Sequence, residues 1–250
     1  MSKCLDRCRY YGFVAYDDKH TVVQYHYCLK HDKVFLNLSE LEKFAKHCPE
    51  PTPEVSYQEL VRRIFKLIRT CNQQFQLLCK NRGIKEGVLL REDFEIASEI
   101  AMPPASEDEF WSRVASLAKL FNISAERLRE LVRQEAKRRG LDPERLAKNT
   151  FSGNPLDSLG TIMLLKLIAI ITNDSRYEQI YQVWSAIRDL RHPKAHTLEG
   201  RSLEEVVKAL RIFGEDYPPS NYRNLWDLML QKFEETLRIM SSLLKELEKI

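Results

Sequence analysis

The spacing of hydrophobic positions divides the chain into a strand-rich start and a long helical remainder. Apolar and polar residues alternate over Tyr10–Tyr16, Thr21–Tyr27 and Lys33–Leu36, which predicts three short strands. After a proline-rich run at 49–53, apolar residues recur every three or four positions, as they do on amphipathic helices. We therefore predict a mainly α protein with a small β-rich module at its start.

Capping signals mark the ends of the predicted helices. A Ser followed three residues later by Glu, the capping-box pattern, recurs at Ser39/Glu42, Ser56/Glu59, Ser106/Glu109, Ser175/Glu178 and Ser202/Glu205. Gly83, Gly140 and Gly214 stand where helices should end. Together these signals predict helices over 57–81, 107–121, 125–139, 143–149, 157–172, 176–191, 203–213 and 222–249.

Changes in amino-acid composition and in the hydrophobic pattern along the chain predict three segments. They are a cysteine-rich module at 1–50, a helical region at 54–150 and a further helical domain at 151–250. The last helix carries apolar or near-apolar residues at alternating spacings of three and four from Trp226 to Ile250, which fits a coiled-coil seam or an ordinary bundle face. The stripe is widened by Leu225, Leu237 and Leu244, so we favour the bundle face.

Charge and apolar content restrict the classes of partner only weakly. The 39 basic and 36 acidic residues leave a net charge of +3, which permits nucleic-acid binding without demanding it. The start of the chain is polar, and the longest apolar stretch, 159–172, is too short to span a bilayer. We expect a cytoplasmic protein without a membrane partner.

Four of the six cysteines and four of the six histidines lie in the first 48 residues. The pairs Cys4/Cys8 and Cys28/His31 flank the predicted hairpin, as two ligand pairs do in a zinc ribbon. A segment this small buries too little core to fold unaided, so a structural Zn²⁺ would supply stability. Rival ligands are His26, His47 and Cys48. The alternative to a zinc site is a small β-subdomain whose thiols bind no metal.

The two remaining cysteines, Cys71 and Cys79, lie inside a helical pattern, and their thiols are predicted to be buried.

A helix-turn-helix outline spans 114–139. Its second helix carries six basic residues, as a helix in a DNA major groove would. Three glutamates interleave with them, which is typical of a solvated face with local ion pairs. We favour that structural interpretation and keep RNA contact by the 137–139 cluster as a minor hypothesis.

The most informative residues are the six from Arg191 to His196. Arg191 ends an apolar helical pattern, and Pro193 disfavours helix at His192 while fitting the first turn of a new helix. The free N–H groups at the start of this new helix and the side chain of Arg191 would then lie close together, which predicts an anion-binding site. His196 lies one turn into the new segment, where an imidazole can transfer a proton beside a bound phosphate.

Residues 190–196, Leu-Arg-His-Pro-Lys-Ala-His, resemble the R-x4-6-H signature of HEPN domains, with a polar residue after the Arg and Ala before the His. The resemblance covers roughly 151–250 and implies an all-α bundle acting as a metal-independent, usually homodimeric endoribonuclease. It implies that Arg191 stabilises charge on the phosphate, His192 shapes the site, and His196 acts on the ribose 2′-OH. Single-stranded RNA is the expected substrate, within a defence, CRISPR or toxin-type effector.

Two alternatives from other classes stay open. One is a non-catalytic nucleic-acid-binding regulator built from the zinc ribbon and the helix-turn-helix outline. The other is a scaffold that uses the last helix as a partner surface. The zinc module is in each case a possible contact for a protein or nucleic acid.

Overall fold

The structure is a computed structural model that describes residues 11–18, 21–28, 33–35, 39–40, 43–44, 57–121, 125–191, 201–219 and 221–248. The chain divides into two compact units, Met1–Ser56 and Tyr57–Ile250. Within the described residues, none of the helices combines the length and apolarity needed to cross a lipid bilayer.

The first unit contains a three-stranded antiparallel sheet in the order β1-β2-β3. Its strands are β1 (Tyr11–Asp18), β2 (Thr21–Cys28) and β3 (Lys33–Phe35). Cys28, the last residue of β2, pairs with Tyr11 of β1 and with Lys33 of β3. The strands overlap the three predicted ranges, and the zinc-ribbon interpretation of this module stays a prediction.

The second unit is helical, so the prediction of a mainly α fold is confirmed. In the part of the chain that the structure describes, its helices are α1 (Tyr57–Asn81), α2 (Phe94–Ile100), α3 (Glu107–Lys119), α4 (Glu126–Arg138), α5 (Pro143–Thr150), α6 (Thr161–Thr172), α7 (Ser175–Leu190), α8 (Arg201–Ile212) and α9 (Tyr222–Glu248). A 3-10 turn, Leu156–Ser158, precedes α6. Helices from both sides of the predicted boundary at 150 belong to this unit.

The long helices α1 and α9 pack side by side. The apolar face of α9 is buried over its length, from Leu225 to Leu247, so the bundle-face interpretation of this helix is confirmed. A carboxylate also links the two helices: Arg63 donates from Nε and Nη2 to the two oxygens of Glu234, at 2.9 and 3.2 Å. Arg238 donates to the same carboxylate at 2.6 Å.

Helices α6 and α7 form a hairpin that decides where the candidate site lies. Asn173 ends α6 in the left-handed region at φ 54°, and Asp174 caps α7 by accepting from the backbone N–H of Arg176. Between the helices, Lys166 Nζ lies 4.8 Å from the centre of the Tyr181 ring. Because so short a turn makes the helices antiparallel, the start of α6 lies beside the end of α7.

Helix α4 packs on α6 and holds the segment that leads into it. Arg129 donates to the carbonyl oxygen of Leu159 at 3.2 Å, and Arg133 donates to the Asp157 carboxylate at 2.6 Å. Arg127, Arg138 and Arg139 pair with glutamates of the same helix, so five of the six cations proposed for a DNA-reading helix are bound within the chain. The structural interpretation of this segment gains support, while residues 122–124, the predicted turn, lie outside the described residues.

Several predicted helix ends need correction. The predicted helix 157–172 begins as the 3-10 turn and becomes α6 only at Thr161. The cap of α7 is Asp174 rather than Ser175, because Asp174 stands one residue earlier and reaches the free N–H of Arg176. Ser202 lies inside α8 instead of capping it. Helix α2, capped by Asp93, was not predicted.

The predicted glycine ends are confirmed. The backbone φ is 64° at Gly83, 70° at Gly140 and 79° at Gly214, a left-handed conformation that glycine adopts without steric cost. The thiols of Cys71 and Cys79 are fully buried, as predicted. Burial raises the pKa of both thiols, to about 12 and about 11, so both are protonated at neutral pH.

Candidate functional site

The structure describes one member of the predicted catalytic set. Arg191 is the C-cap of α7, its side chain is exposed, and its backbone N–H donates to the carbonyl oxygen of Arg188 at 3.2 Å. His192 and His196 lie outside the described residues, so the Arg–His geometry stays a prediction.

The predicted zinc ligands belong to the first unit. Cys28 ends β2, where its backbone alone is described, and Cys4, Cys8 and His31 lie outside the described residues. Among the rival ligands, His26 lies in β2, while His47 and Cys48 are outside. No cluster of three or more His, Cys, Asp or Glu side chains suited to a metal occurs in the part that the structure describes.

A cavity of about 120 Å³ lies directly beside Arg191. Its lining combines the first residues of α6, 160–163, with Arg188 and Arg191 from the end of α7. Phe121, just beyond α3, contributes an aromatic wall. A water needs only ~10–15 Å³ of such space, so the cavity admits a group much larger than one water. We call it the α6 cavity.

The backbone makes one side of the α6 cavity a hydrogen-bond donor surface. Gly160 is the N-cap of α6 and supplies no capping side chain. The first hydrogen bond of the helix runs from Leu164 N to Gly160 O, at 3.1 Å. The N–H groups of residues 161–163 therefore have no partner inside the helix, and they carry the positive end of the helix dipole.

Thr161 adds a hydroxyl without a partner. The residue is only 5% exposed, it lines the cavity, and its Oγ1 makes no hydrogen bond with any described residue. A buried hydroxyl in this state costs on the order of 1–3 kcal/mol. The oxygen itself is buried beneath the cavity wall rather than exposed to the cavity.

The guanidinium of Arg188 is held in place by its own helix. It donates to Asp189 from Nε at 2.9 Å and from Nη2 at 2.8 Å, and Nη2 also donates to Ser185 Oγ at 3.0 Å. Its Nη1 makes no hydrogen bond with a described residue. Asp189 balances the charge of Arg188, so Arg191 and the start of α6 leave the cavity positive.

The aromatic wall is fixed by core packing. The ring of Phe121 stacks on Trp184, with centroids 4.9 Å apart and planes inclined by 28°. The indole Nε1 of Trp184 donates to Thr236 Oγ1 at 2.8 Å in the fully buried interior. The wall is therefore anchored through α7 to α9.

A larger cavity of about 610 Å³ lies between α1 and α2, and no residue of the α6 cavity lines it. It carries no predicted site residue, and its rim arginines are paired: Arg62 with Glu59 at 2.9 Å and Arg69 with Glu92 at 3.3 Å. The apolar Phe94 is 85% exposed at its edge. This groove offers apolar surface but no group that directs chemistry.

Comparison with known proteins adds no further constraint: no family model, curated protein or solved structure matches the chain. We therefore infer the function from the residues of the α6 cavity and from the Arg–His motif. Sequence reasoning found Arg191 but missed Thr161 and Arg188. Thr161 opens an apolar run and looked like core, and no sequence signal marked Arg188.

Proposed function

We propose that the chain is a metal-independent endoribonuclease that cleaves single-stranded RNA, with its helical unit as a HEPN-like bundle. The observation that carries the proposal is the position of Arg191. It lies exposed at the end of α7, on the rim of a positive cavity, and the predicted histidines follow it directly in the sequence. An arginine and oriented N–H groups around one small cavity suit a phosphate.

In the proposed reaction the ribose 2′-OH loses its proton to a general base and the 2′-oxygen attacks the adjacent phosphorus. The P–O5′ bond breaks, and the 5′-oxygen takes up a proton. His196 transfers one of these protons, Arg191 stabilises the negative charge that builds on the phosphate, and His192 shapes the site. The products are a 2′,3′-cyclic phosphate and a 5′-OH, and no metal takes part.

The alternatives gain less from the structure. A DNA-binding regulator needs free cations on α4, but Arg129 and Arg133 are bound within the chain. A scaffold that uses α9 as its partner surface needs an open apolar face, but that face is buried against the chain's own core.

We retain a homodimer, a structural Zn²⁺ in residues 1–50 and a defence or toxin-type role as parts of the proposal.

The decisive experiment is cleavage of end-labelled single-stranded RNA in EDTA. Arg191→Ala and His196→Ala should each reduce the rate by roughly 100-fold or more, the usual effect of removing a charge-stabilising donor or a proton-transfer group. Their circular dichroism spectra should match the parent's, because Arg191 is exposed. The fragments should accept a 5′-phosphate from polynucleotide kinase without pretreatment, since they end in 5′-OH.

A matched control is Arg211→Ala. Arg211 lies in the last turn of α8 and is likewise exposed, so its loss removes a cation from a helix end outside the α6 cavity. It should leave cleavage within about twofold. Equal cleavage by the parent, Arg191→Ala and His196→Ala would refute the proposed function.

A further inference from the structure

We infer that the groove between α1 and α2 is the surface through which two copies of this chain bind each other. We call it the α1–α2 groove. Its apolar lining comprises Val61, Phe65, Phe94, Ala97, Ala101 and Met102. The inference gives an interface to the homodimer named in the proposed function, but it is argued from the groove and does not depend on ribonuclease activity.

Two large apolar side chains of the α1–α2 groove are exposed to solvent in the single chain. Phe94, the first residue of α2, is 85% exposed, and Met102, just beyond the end of α2, is 56% exposed. Both line the same cavity of about 610 Å³. Exposed apolar side chains that share one concave surface mark an interaction site, whereas isolated ones do not. The groove therefore suits a partner that brings apolar surface of its own.

The α2 wall of the groove is held in place at both ends. Ahead of α2, the buried Asn72 side chain accepts from the backbone N–H groups of Leu89 and Leu90, at 2.9 Å each, and donates to the carbonyl oxygen of Leu90 at 2.8 Å. Beyond α2, Arg113 donates from Nε to the carbonyl oxygen of Met102 at 2.6 Å. A preformed surface loses little conformational entropy when a partner binds.

The charges of the two walls favour a second copy of the chain as the partner. Helix α1 carries five basic residues and one acidic residue, which leaves a net charge of +4. Residues 92–100, which lead into and form α2, carry four acidic residues and no basic residue, a net charge of −4. A surface with adjacent basic and acidic halves is complementary to itself after a half-turn rotation. The basic α1 wall of each copy then faces the acidic α2 wall of the other, and Phe94 of each copy covers the apolar lining of the other.

Several of these charges have no ion pair within the described part of the chain. Lys66 lines the groove, is exposed and pairs with no described carboxylate. Glu95 and Glu99 lie one helical turn apart on the exposed face of α2, and they pair with no described cation. By contrast, Arg69 is already paired with Glu92 at 3.3 Å. Opposite charges of this kind, on neighbouring walls, can pair across a twofold axis, where they select the partner and its orientation.

The test is the oligomeric state of the full chain, measured by sedimentation velocity across the micromolar range. The parent should form a dimer. Lys66→Glu, and separately Glu95→Lys/Glu99→Lys, should each raise the Kd of the dimer about tenfold or more, because each replaces attraction by repulsion at two symmetry-related places. The changed side chains are exposed, so the circular dichroism spectra should match the parent's.

A mixture of the two charge variants gives the decisive result. In the mixed dimer the reversed α1 wall of one copy faces the reversed α2 wall of the other, and the second pair of walls keeps its natural charges. The mixture should therefore dimerise with a Kd within about threefold of the parent's, although each variant alone dimerises weakly. This recovery is specific to an interface in which α1 meets α2 of the other copy.

Matched controls separate the groove from the rest of the surface. Lys80→Glu reverses an exposed cation of α1 that does not line the groove, and Leu141→Ala removes an apolar side chain that is 41% exposed elsewhere. Both should leave the Kd of the dimer within about twofold of the parent's. Phe94→Ala should raise it about tenfold or more, as loss of a central aromatic contact does.

Three outcomes overturn the interface. A dimer that is insensitive to the charge variants and to Phe94→Ala lies elsewhere on the chain. A mixture that dimerises no better than its components excludes the pairing of α1 with α2. A monomeric parent excludes a second copy, and a fall in its Tm on Phe94→Ala would show that a segment of the same chain covers the groove. Cleavage assays test the proposed function separately: recovery in the mixture without RNA cleavage refutes the ribonuclease alone, and cleavage without recovery refutes the interface alone.

Discussion

The buried hydrogen bond behind the cavity wall permits a stability prediction with a defined magnitude. Thr236 Oγ1 accepts from the indole Nε1 of Trp184 at 2.8 Å, and both residues are buried. Thr236→Val keeps the volume and the β-branching but leaves the indole N–H without an acceptor. Stranding a buried donor costs about 1–3 kcal/mol. For a chain of this size that corresponds to a fall in Tm of about 2–12 °C.

The assay is urea unfolding followed by far-ultraviolet circular dichroism, on a double-mutant cycle of Thr236→Val and Trp184→Phe. The Trp184→Phe variant has no indole N–H, so in that background Thr236→Val should lose only the hydrogen bond that Thr236 Oγ1 donates to the carbonyl oxygen of Phe233 at 2.8 Å. The coupling between the two changes should therefore equal the cost of the stranded donor, about 1–3 kcal/mol.

Thr236→Ser provides a control in the parent background. It keeps the acceptor oxygen and loses a methyl group, so it should cost no more than about 1 kcal/mol. If Thr236→Val is as costly in the Trp184→Phe background as in the parent, the effect is one of packing and the hydrogen-bond argument is refuted.

Two further predictions concern acid stability and the first unit. Burial by itself raises the pKa of Glu234, but hydrogen bonds from Arg63 and Arg238 outweigh it and hold the pKa below its ordinary value. Because folding lowers the pKa of Glu234, its carboxylate contributes its full stabilisation above pH ~4.3, the ordinary Glu value. This stabilisation is lost as the pH falls through the pKa of the folded state. Glu234→Gln should therefore lower Tm at pH 7 and flatten its decline below pH ~4.3; an unchanged acid slope would contradict this. Cys28→Ala should lose bound Zn²⁺ in a metal assay of freshly purified protein, and a parent without zinc would refute the zinc-ribbon hypothesis.

The helices were largely predictable because their signals are local. Helix α1 has the predicted bounds, Tyr57–Asn81, since its apolar residues keep helical spacing over the whole of that length. Helix α2 was missed because it has seven residues and its first, Phe94, is 85% exposed. An apolar residue that faces solvent breaks the periodicity from which a helix is predicted. The cap of α7 was displaced by one residue because Asp174 and Ser175 are both good capping residues.

The candidate site was only partly predictable because it is not local. Arg191 was found through a motif, but the α6 cavity joins residues that lie far apart in sequence, from Ala118 to Arg191. Thr161 stands at the head of the apolar run 161–172, where a threonine is ordinarily a core residue. Thr161 can be recognised as unusual only because its hydroxyl has no partner among the described residues. Only the three-dimensional structure shows this.

The α6 cavity breaks local rules that most of the helical unit obeys. Asp93, Ser106, Asp142 and Asp174 each accept from free N–H groups at the start of a helix. At α6 the capping position is a glycine, and the first helical residue carries a buried hydroxyl without a partner among the described residues. The unpaired hydroxyl lowers stability, and an apolar side chain would remove that cost, whereas a glycine cap costs only about a few tenths of a kcal/mol relative to a side-chain cap. Departures of this kind are expected at functional sites, where the missing partner is a ligand. The departure lies beside Arg191, the residue that the motif singles out, and this proximity is why we propose a functional site there.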